Sequence, residues 1–168
     1  MIFAMDKIRL SRKFTFETAH ALLGYDGACR HIHGHSYKLV VTIIGSPLHD
    51  ELHPKNGMVM DFGDLKKTVE LSVIKPFDHA LLLNEKAPVA LVEQLEKNDE
   101  KLVLLPYQPS CENMLLDIKN RLQNLLPENI ALHSLKLSET ENSFAEWFAS
   151  DNVCTVIFAA GMAEAMLN

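Results

Sequence analysis

Long hydrophobic runs are missing from this 168-residue chain. No stretch reaches the roughly 18 consecutive apolar residues of a membrane helix, so no membrane partner is expected. Cysteine is scarce: Cys29, Cys111 and Cys154 form an odd set with no C-x-x-C spacing, which excludes a disulfide framework. Met1–Met5 is apolar but too short for the core of a secretory signal. Together these absences lead us to expect a reducing, cytoplasmic setting. Positive charge is also in deficit, with 16 Lys and Arg against 22 Asp and Glu and a net charge of −6. That balance excludes a general nucleic-acid or anionic-membrane binder and leaves room only for a local basic patch facing a small anion. No repeat or low-complexity block is present. What remains is an ordinary globular composition, 48% hydrophobic and 23% charged, long enough for one domain with a sizeable core. We place that domain at residues 1–150. Residues 151–168 form a C-terminal extension without an assigned role, apolar but interrupted by Gly161 and Glu164.

Periodicity then divides the chain. Residues 8–20 alternate as a strand, with Phe14, Phe16, Thr18 and His20 in one phase and Thr15, Glu17 and Ala19 in the other. Residues 35–44 are a second strand rich in Val, Ile, Thr and Tyr, and His33, His35, Tyr37, Leu39 and Val41 share its phase. The two make a hairpin with a long Gly-containing connection. Asp61 reads as the N-cap of a helix with Phe62, Leu65, Val69 and Val73 at helical spacing, stopped by Pro76. Residues 77–84 read as a turn with a short apolar run, and residues 85–101 as charged and irregular, with a helical piece after Pro88. Pro109-Ser110 opens a second helix whose apolar face is Met114, Leu115, Ile118, Leu122 and Leu125. Residues 132–139 and 143–148 are two further strands joined by a turn at Glu141-Asn142. This order predicts an α+β fold, a four-stranded antiparallel sheet with two helices packed on one face. The two open sheet edges invite pairing between copies.

Chemistry gathers at the open end of the hairpin, in Cys29-Arg30-His31-Ile32-His33-Gly34-His35. Residues two apart on a strand point the same way, roughly 6.6 Å apart, so His33 and His35 can converge on one ion. His20, at the end of the partner strand, can supply a third nitrogen. Three neutral imidazoles leave zinc its full charge and an open position for water or substrate oxygens. The plainer reading is a pair of surface histidines on a strand edge. Cys29 is open to three readings: a fourth ligand, an inert core thiol, or a base activated by nearby cationic charge. Asp78-His79 could orient or deprotonate Cys29, since a carboxylate sets an imidazole's tautomer. Neighbours in an extended stretch point apart, however, and a turn Asp beside a surface His is the alternative. Glu139 is in phase with Leu135 and Leu137. An inward carboxylate could grip the paired N–H donors of a guanidine-like heterocycle, and a solvated strand end is the alternative. Ser110, Glu112 and Asn113 could cap a helix or face the same heterocycle.

Six motifs in order resemble the 6-pyruvoyltetrahydropterin synthase superfamily, and within it the bacterial 6-carboxytetrahydropterin synthases. They are Phe16-Glu17-Thr18-Ala19-His20, Cys29 with His33-Gly34-His35, residues 57–62, Asp78-His79-Ala80-Leu81-Leu82-Leu83-Asn84, residues 109–113 and Ser138-Glu139-Thr140-Glu141-Asn142. The resemblance implies a tunnelling fold (T-fold), a homohexamer built as a dimer of trimers, and active sites at subunit interfaces. It assigns His20, His33 and His35 to Zn2+, Cys29 to the general base, and Asp78 with His79 to proton relay. It also gives Glu139 to the pterin ring and the relay, and Ser110, Cys111 and Glu112 to the pterin pocket. The three residues between Cys29 and His33 match the carboxy synthases of the queuosine and 7-deazapurine pathway, whereas the animal-type pyruvoyl synthases usually have five. The implied activity is a lyase acting on 7,8-dihydroneopterin triphosphate. The alternatives are elimination to the pyruvoyl product and a non-catalytic zinc- or pterin-binding protein. Arg12, Lys13, Arg30 and Lys38 are the candidates for holding the triphosphate. Residues 85–107 are longer than in compact bacterial members and form an insertion.

Overall fold

A computed structural model describes residues 6–152. Met1–Met5, Cys154 and nearly all of the C-terminal extension lie outside the described residues. In chain order the elements are β1 (Ile8–His20), β2 (His33–Gly45), helix α1 (Phe62–Val69), a short helical turn α2 (Lys75–Phe77) and β3 (Ala80–Asn84). They continue with α3 (Val89–Lys97), β4 (Leu102–Leu105), α4 (Cys111–Gln123), β5 (Ala131–Ser138) and β6 (Phe144–Phe148).

The β1–β2 hairpin follows from its alternation. It is antiparallel over its whole length, from Ile8 opposite Gly45 to His20 opposite His33. Phe14, Phe16, Thr18 and His20 are buried on one face beside Tyr37, Leu39, Val41 and Ile43. The Phe16 and Tyr37 rings stack at 5.3 Å. β5 adds to β2 and β6 to β5, both antiparallel.

The strand count corrects the expectation of four antiparallel strands. Among the described residues the sheet has six, in the order β4-β3-β1-β2-β5-β6, and β3 joins β1, and β4 joins β3, in parallel. The reason lies in burial. Ala80 and Leu82 belong to the main core, while Leu81 and Leu83 pack in a second cluster with Val92 and Leu95 of α3 and with Ala21, Ala87 and Leu102. A strand covered on both faces needs no polar alternation, so Ala80-Leu81-Leu82-Leu83 carried no strand period. The insertion supplies both α3, which covers the second face, and β4.

Two helical units cover the main face. α1 is capped by Asp61, whose Oδ1 accepts from the Gly63 amide at 2.5 Å, and it buries Leu65 and Val69. α4 is capped by Ser110 Oγ, which accepts from the Asn113 amide at 3.4 Å, and it buries Met114, Leu115, Ile118 and Leu122. Pro76 does not stop the first helix. A π turn over Glu70–Ile74 leads directly into α2 and carries the chain through Phe77. Proline lacks the N–H that would bond the Ser72 carbonyl and normally clashes with it. The widened turn relieves that contact, and Arg121 of α4 donates from Nη1 to the Ser72 oxygen at 3.2 Å. The same guanidinium pairs with Asp117 at 2.8 Å and lies 4.8 Å from the Phe77 ring centre.

Candidate active site

Register alone brings the three histidines together. His20 faces His33 and Thr18 faces His35 across the hairpin. One side-chain nitrogen from each of His20, His33 and His35 lies within 4.8 Å of the others. The ring centres are 4.5 Å apart for His20 and His33 and 5.0 Å for His33 and His35.

Backbone carbonyls fix two of the rings. His20 Nδ1 lies 2.6 Å from the Pro109 carbonyl and His33 Nδ1 lies 2.7 Å from the His31 carbonyl. A carbonyl only accepts, so both Nδ1 atoms carry the proton and both Nε2 atoms present lone pairs. His20 Nε2 is buried and has no hydrogen-bond partner among the described residues. Burial pushes the His20 pKa below that of an ordinary imidazole. The Pro109 carbonyl and Glu139 oppose this, and the positive charges His33 and His35 would carry add to it. A neutral ring with an orphaned lone pair, held by an outer carbonyl, is the arrangement of a metal-ligating histidine. The donor set therefore fits a divalent ion of the zinc type.

Glu139 sits beside this cluster, as its phase predicted. Its Oε1 is 3.9 Å from His20 Nε2 and accepts from the Tyr37 hydroxyl at 3.0 Å. Burial raises the Tyr37 pKa, and Glu139, Cys111 and Cys29 act in the same direction. Cys29 is thus within electrostatic reach of Tyr37. It lies half-buried in a 3-10 turn, Ala28–Arg30, tied to the end of β1 by the Leu22 amide, which donates to the Cys29 carbonyl at 2.9 Å. Cys111 is buried at the start of α4, with Sγ 3.3 Å from the Leu137 carbonyl, and burial with the Glu139 charge pushes its pKa up to about 12. Ser110 is the helix cap, and Glu112 is exposed on the first turn of α4.

Asp78 and His79 do touch. His79 Nδ1 is 3.0 Å from Asp78 Oδ2. The extended geometry that would separate neighbours is absent, because His79 has φ 57° and the chain folds back at that residue. Asp78 Oδ1 accepts from the Glu17 amide at 2.9 Å, and this bond, then His79, holds its carboxyl below the usual range. His79 is exposed and lines a cavity of about 570 Å³ together with Glu17, Ala19, Gly34, His35, Ser36 and Lys101. Glu17, Ala19, Gly34 and Ser36 belong to the strand phase opposite to His20 and His33. The dyad thus sits by the face of the hairpin opposite to His20 and His33, while His35 of the cluster lines the same cavity as His79, and no hydrogen bond or ion pair joins dyad and cluster among the described residues.

The basic candidates divide differently. Arg12 donates to the Phe62 carbonyl at 3.0 Å and Lys38 pairs with Glu141. Arg12 and Lys13 lie on β1 roughly 23–26 Å from His20 at about 3.3 Å per residue. Arg30 stands beside Cys29, with Nε 3.2 Å from His31 Nε2. Sequence reasoning gave no role to Tyr37, to the carbonyls of Pro109 and His31, or to Lys101. Tyr37 alone had a signal, its shared phase with His33 and His35.

A sequence profile of the family described as 6-pyruvoyl tetrahydropterin synthase matches residues 9–150. The chain belongs to this family. Among the relatives of this 6-pyruvoyl tetrahydropterin synthase family member is the 6-carboxy-5,6,7,8-tetrahydropterin synthase of Haemophilus influenzae. The two are 35% identical over 141 residues, covering 83% of this chain and 97% of the relative. The 6-pyruvoyl tetrahydrobiopterin synthase of Homo sapiens is 31% identical over 147 residues, covering 80% of this chain and 87% of the relative. The fold is that of the family: the 6-pyruvoyl tetrahydropterin synthase of Caenorhabditis elegans superposes with a TM-score of 0.62 at 23% identity, covering 88% of this chain and 99% of that one. The curled mixed sheet with its helices is accordingly a tunnelling fold. All the sequence-derived site residues fall inside the family match, and residues 151–168 fall outside it.

Proposed function

We propose that the protein is a zinc-dependent lyase that converts 7,8-dihydroneopterin triphosphate and water to 6-carboxy-5,6,7,8-tetrahydropterin, acetaldehyde and triphosphate. The setting we infer is cytoplasmic queuosine or 7-deazapurine biosynthesis. The observation that carries the reading is the geometry of His20, His33 and His35 next to Glu139, combined with the three-residue gap from Cys29 to His33 and the name of the Haemophilus relative. Zinc held by the three imidazoles supplies Lewis acidity toward side-chain hydroxyls of the substrate. Glu139, oriented by the Tyr37 hydroxyl, grips the paired N–H groups of the pterin ring. Cys29 moves a proton at the side-chain carbons during internal redox rearrangement and carbon–carbon cleavage. Ser110, Cys111 and Glu112 line the pterin pocket, with Cys111 as a neutral wall.

Asp78 and His79 complete the relay from a second copy of the chain. Their place by the face of the hairpin opposite to His20 and His33 supports sites shared between copies, in keeping with the homohexamer that the family resemblance implies. Within the dyad the Asp78 carboxylate holds the proton on His79 Nδ1 and leaves Nε2 as the working atom.

Purified, zinc-loaded protein given the substrate tests the reading. Acetaldehyde and the carboxy product in equal amounts are expected, with turnover lost and metal retained in Cys29→Ala. A second reading, elimination to the pyruvoyl product, is favoured by the human relative's name. Finding only that product, or none at full zinc occupancy, overturns the first.

A further inference from the structure

The peptide unit joining Asp78 to His79 is pinned at both ends. The His79 N–H donates to the Glu17 carbonyl at 2.6 Å. The Asp78 carbonyl accepts from Lys101 Nζ at 2.6 Å, and the same ammonium reaches the Lys75 carbonyl at 2.7 Å. Glu17 belongs to β1, but Lys101 belongs to the insertion. Its backbone is held in place because its carbonyl accepts from the Leu81 amide at 2.8 Å, just beyond the dyad.

We propose that Lys101 is a positioning residue for the relay dyad, and that setting this turn is a function of the insertion. His79 needs a left-handed backbone, which a non-glycine residue adopts only when its surroundings impose it. Rotation of the 78–79 peptide would carry His79 away from Asp78. The two pins block that rotation from opposite sides. The ammonium also lies at the C-terminal end of α2, where the free carbonyls carry partial negative charge and favour a cation. Lys101 borders the cavity that His79 opens into, yet two of its donors are committed to backbone oxygens. It therefore acts through the dyad.

This inference rests on the relay reading, so its test carries a readout independent of turnover. Zinc-loaded wild type, Lys101→Met and Lys101→Arg are compared by product formation and by the side-chain nitrogen NMR signals of His79. Wild-type His79 is expected to hold its proton on Nδ1. Lys101→Met is expected to show a mixture of tautomers and a kcat lower by about tenfold or more, with KM within about twofold. Lys101→Arg, which keeps donors for both carbonyls, is expected to restore both readouts. An unchanged His133 signal in Lys101→Met verifies the fold. A wild-type tautomer in Lys101→Met overturns the proposal whatever the rate, and a raised KM with that tautomer shows instead that Lys101 touches substrate. If the wild type makes no carboxy product, the reaction assignment falls and the tautomer comparison still decides the role of Lys101.

Discussion

Tyr37 donates to Glu139 beside the imidazole cluster, and burial keeps the phenol from ionising as it would in water. A neutral phenol donating to a carboxylate oxygen fixes where the second oxygen points. Tyr37→Phe is expected to lower stability by roughly 1.5–3 kcal/mol, since a buried hydrogen bond to a carboxylate is lost. A double-mutant cycle with Glu139→Ala, read by urea denaturation, should recover most of that as coupling. The two described cysteines should differ sharply. Cys111 is buried and its pKa is pushed up to about 12, so it is protonated near pH 8, whereas Cys29 is only half-buried. Pulsed iodoacetamide labelling with peptide mapping should therefore modify Cys29 long before Cys111. Asp78 gives an acid limb. Its folded pKa is depressed, so its stabilisation is present above the unfolded value near ~3.9 and is lost as pH falls through the folded one. Asp78→Asn should flatten the stability profile below about pH 4, as read by thermal unfolding.

At the scale of elements, legibility followed periodicity. The hairpin, α4 and the β5–β6 pair were readable because each buries one face and so writes its geometry in alternation or helical spacing. The same phase rule placed His20, His33, His35 and Glu139 on one side. It failed for β3, where α3 buries the second face, and for Pro76, where the Ser72 carbonyl is satisfied by Arg121, a residue 49 positions away. No local pattern encodes a partner that distant. The sequence leaves contact between Asp78 and His79 open for a related reason, because the bonds that flank the left-handed turn come from the distant Glu17 and Lys101. Arg121→Met is expected to destabilise the fold by about 2 kcal/mol through loss of the Asp117 pair, the carbonyl bond and the Phe77 contact. In a Pro76→Ala background the loss should be smaller, because the restored Ala N–H can take up the Ser72 oxygen. Guanidinium chloride unfolding of the four variants would measure that difference.

At the scale of the whole molecule, one chain sets the dyad by the face of the hairpin opposite to His20 and His33. If copies share sites, Cys29→Ala and Asp78→Ala should each be inactive alone. Co-refolded at equal amounts they should recover about a quarter of wild-type activity, because random assembly pairs an intact Cys29 with an intact dyad in that fraction of sites. Recovery near zero would place all groups of a site within one chain. The path of the chain orders cluster and dyad in time as well. The imidazole cluster is made by one hairpin between strands that follow each other directly. The dyad reaches its place only when β3 docks in parallel on β1, where Thr18 Oγ donates to the Phe77 carbonyl across 59 residues. Closing that long loop is slower than closing the hairpin. In refolding followed by pulsed hydrogen exchange, the amides of β2 should gain protection before that of His79. A newly made chain then gathers its three imidazoles before it sets its dyad; on the proposed roles, it would pass through its half-built stage chemically silent.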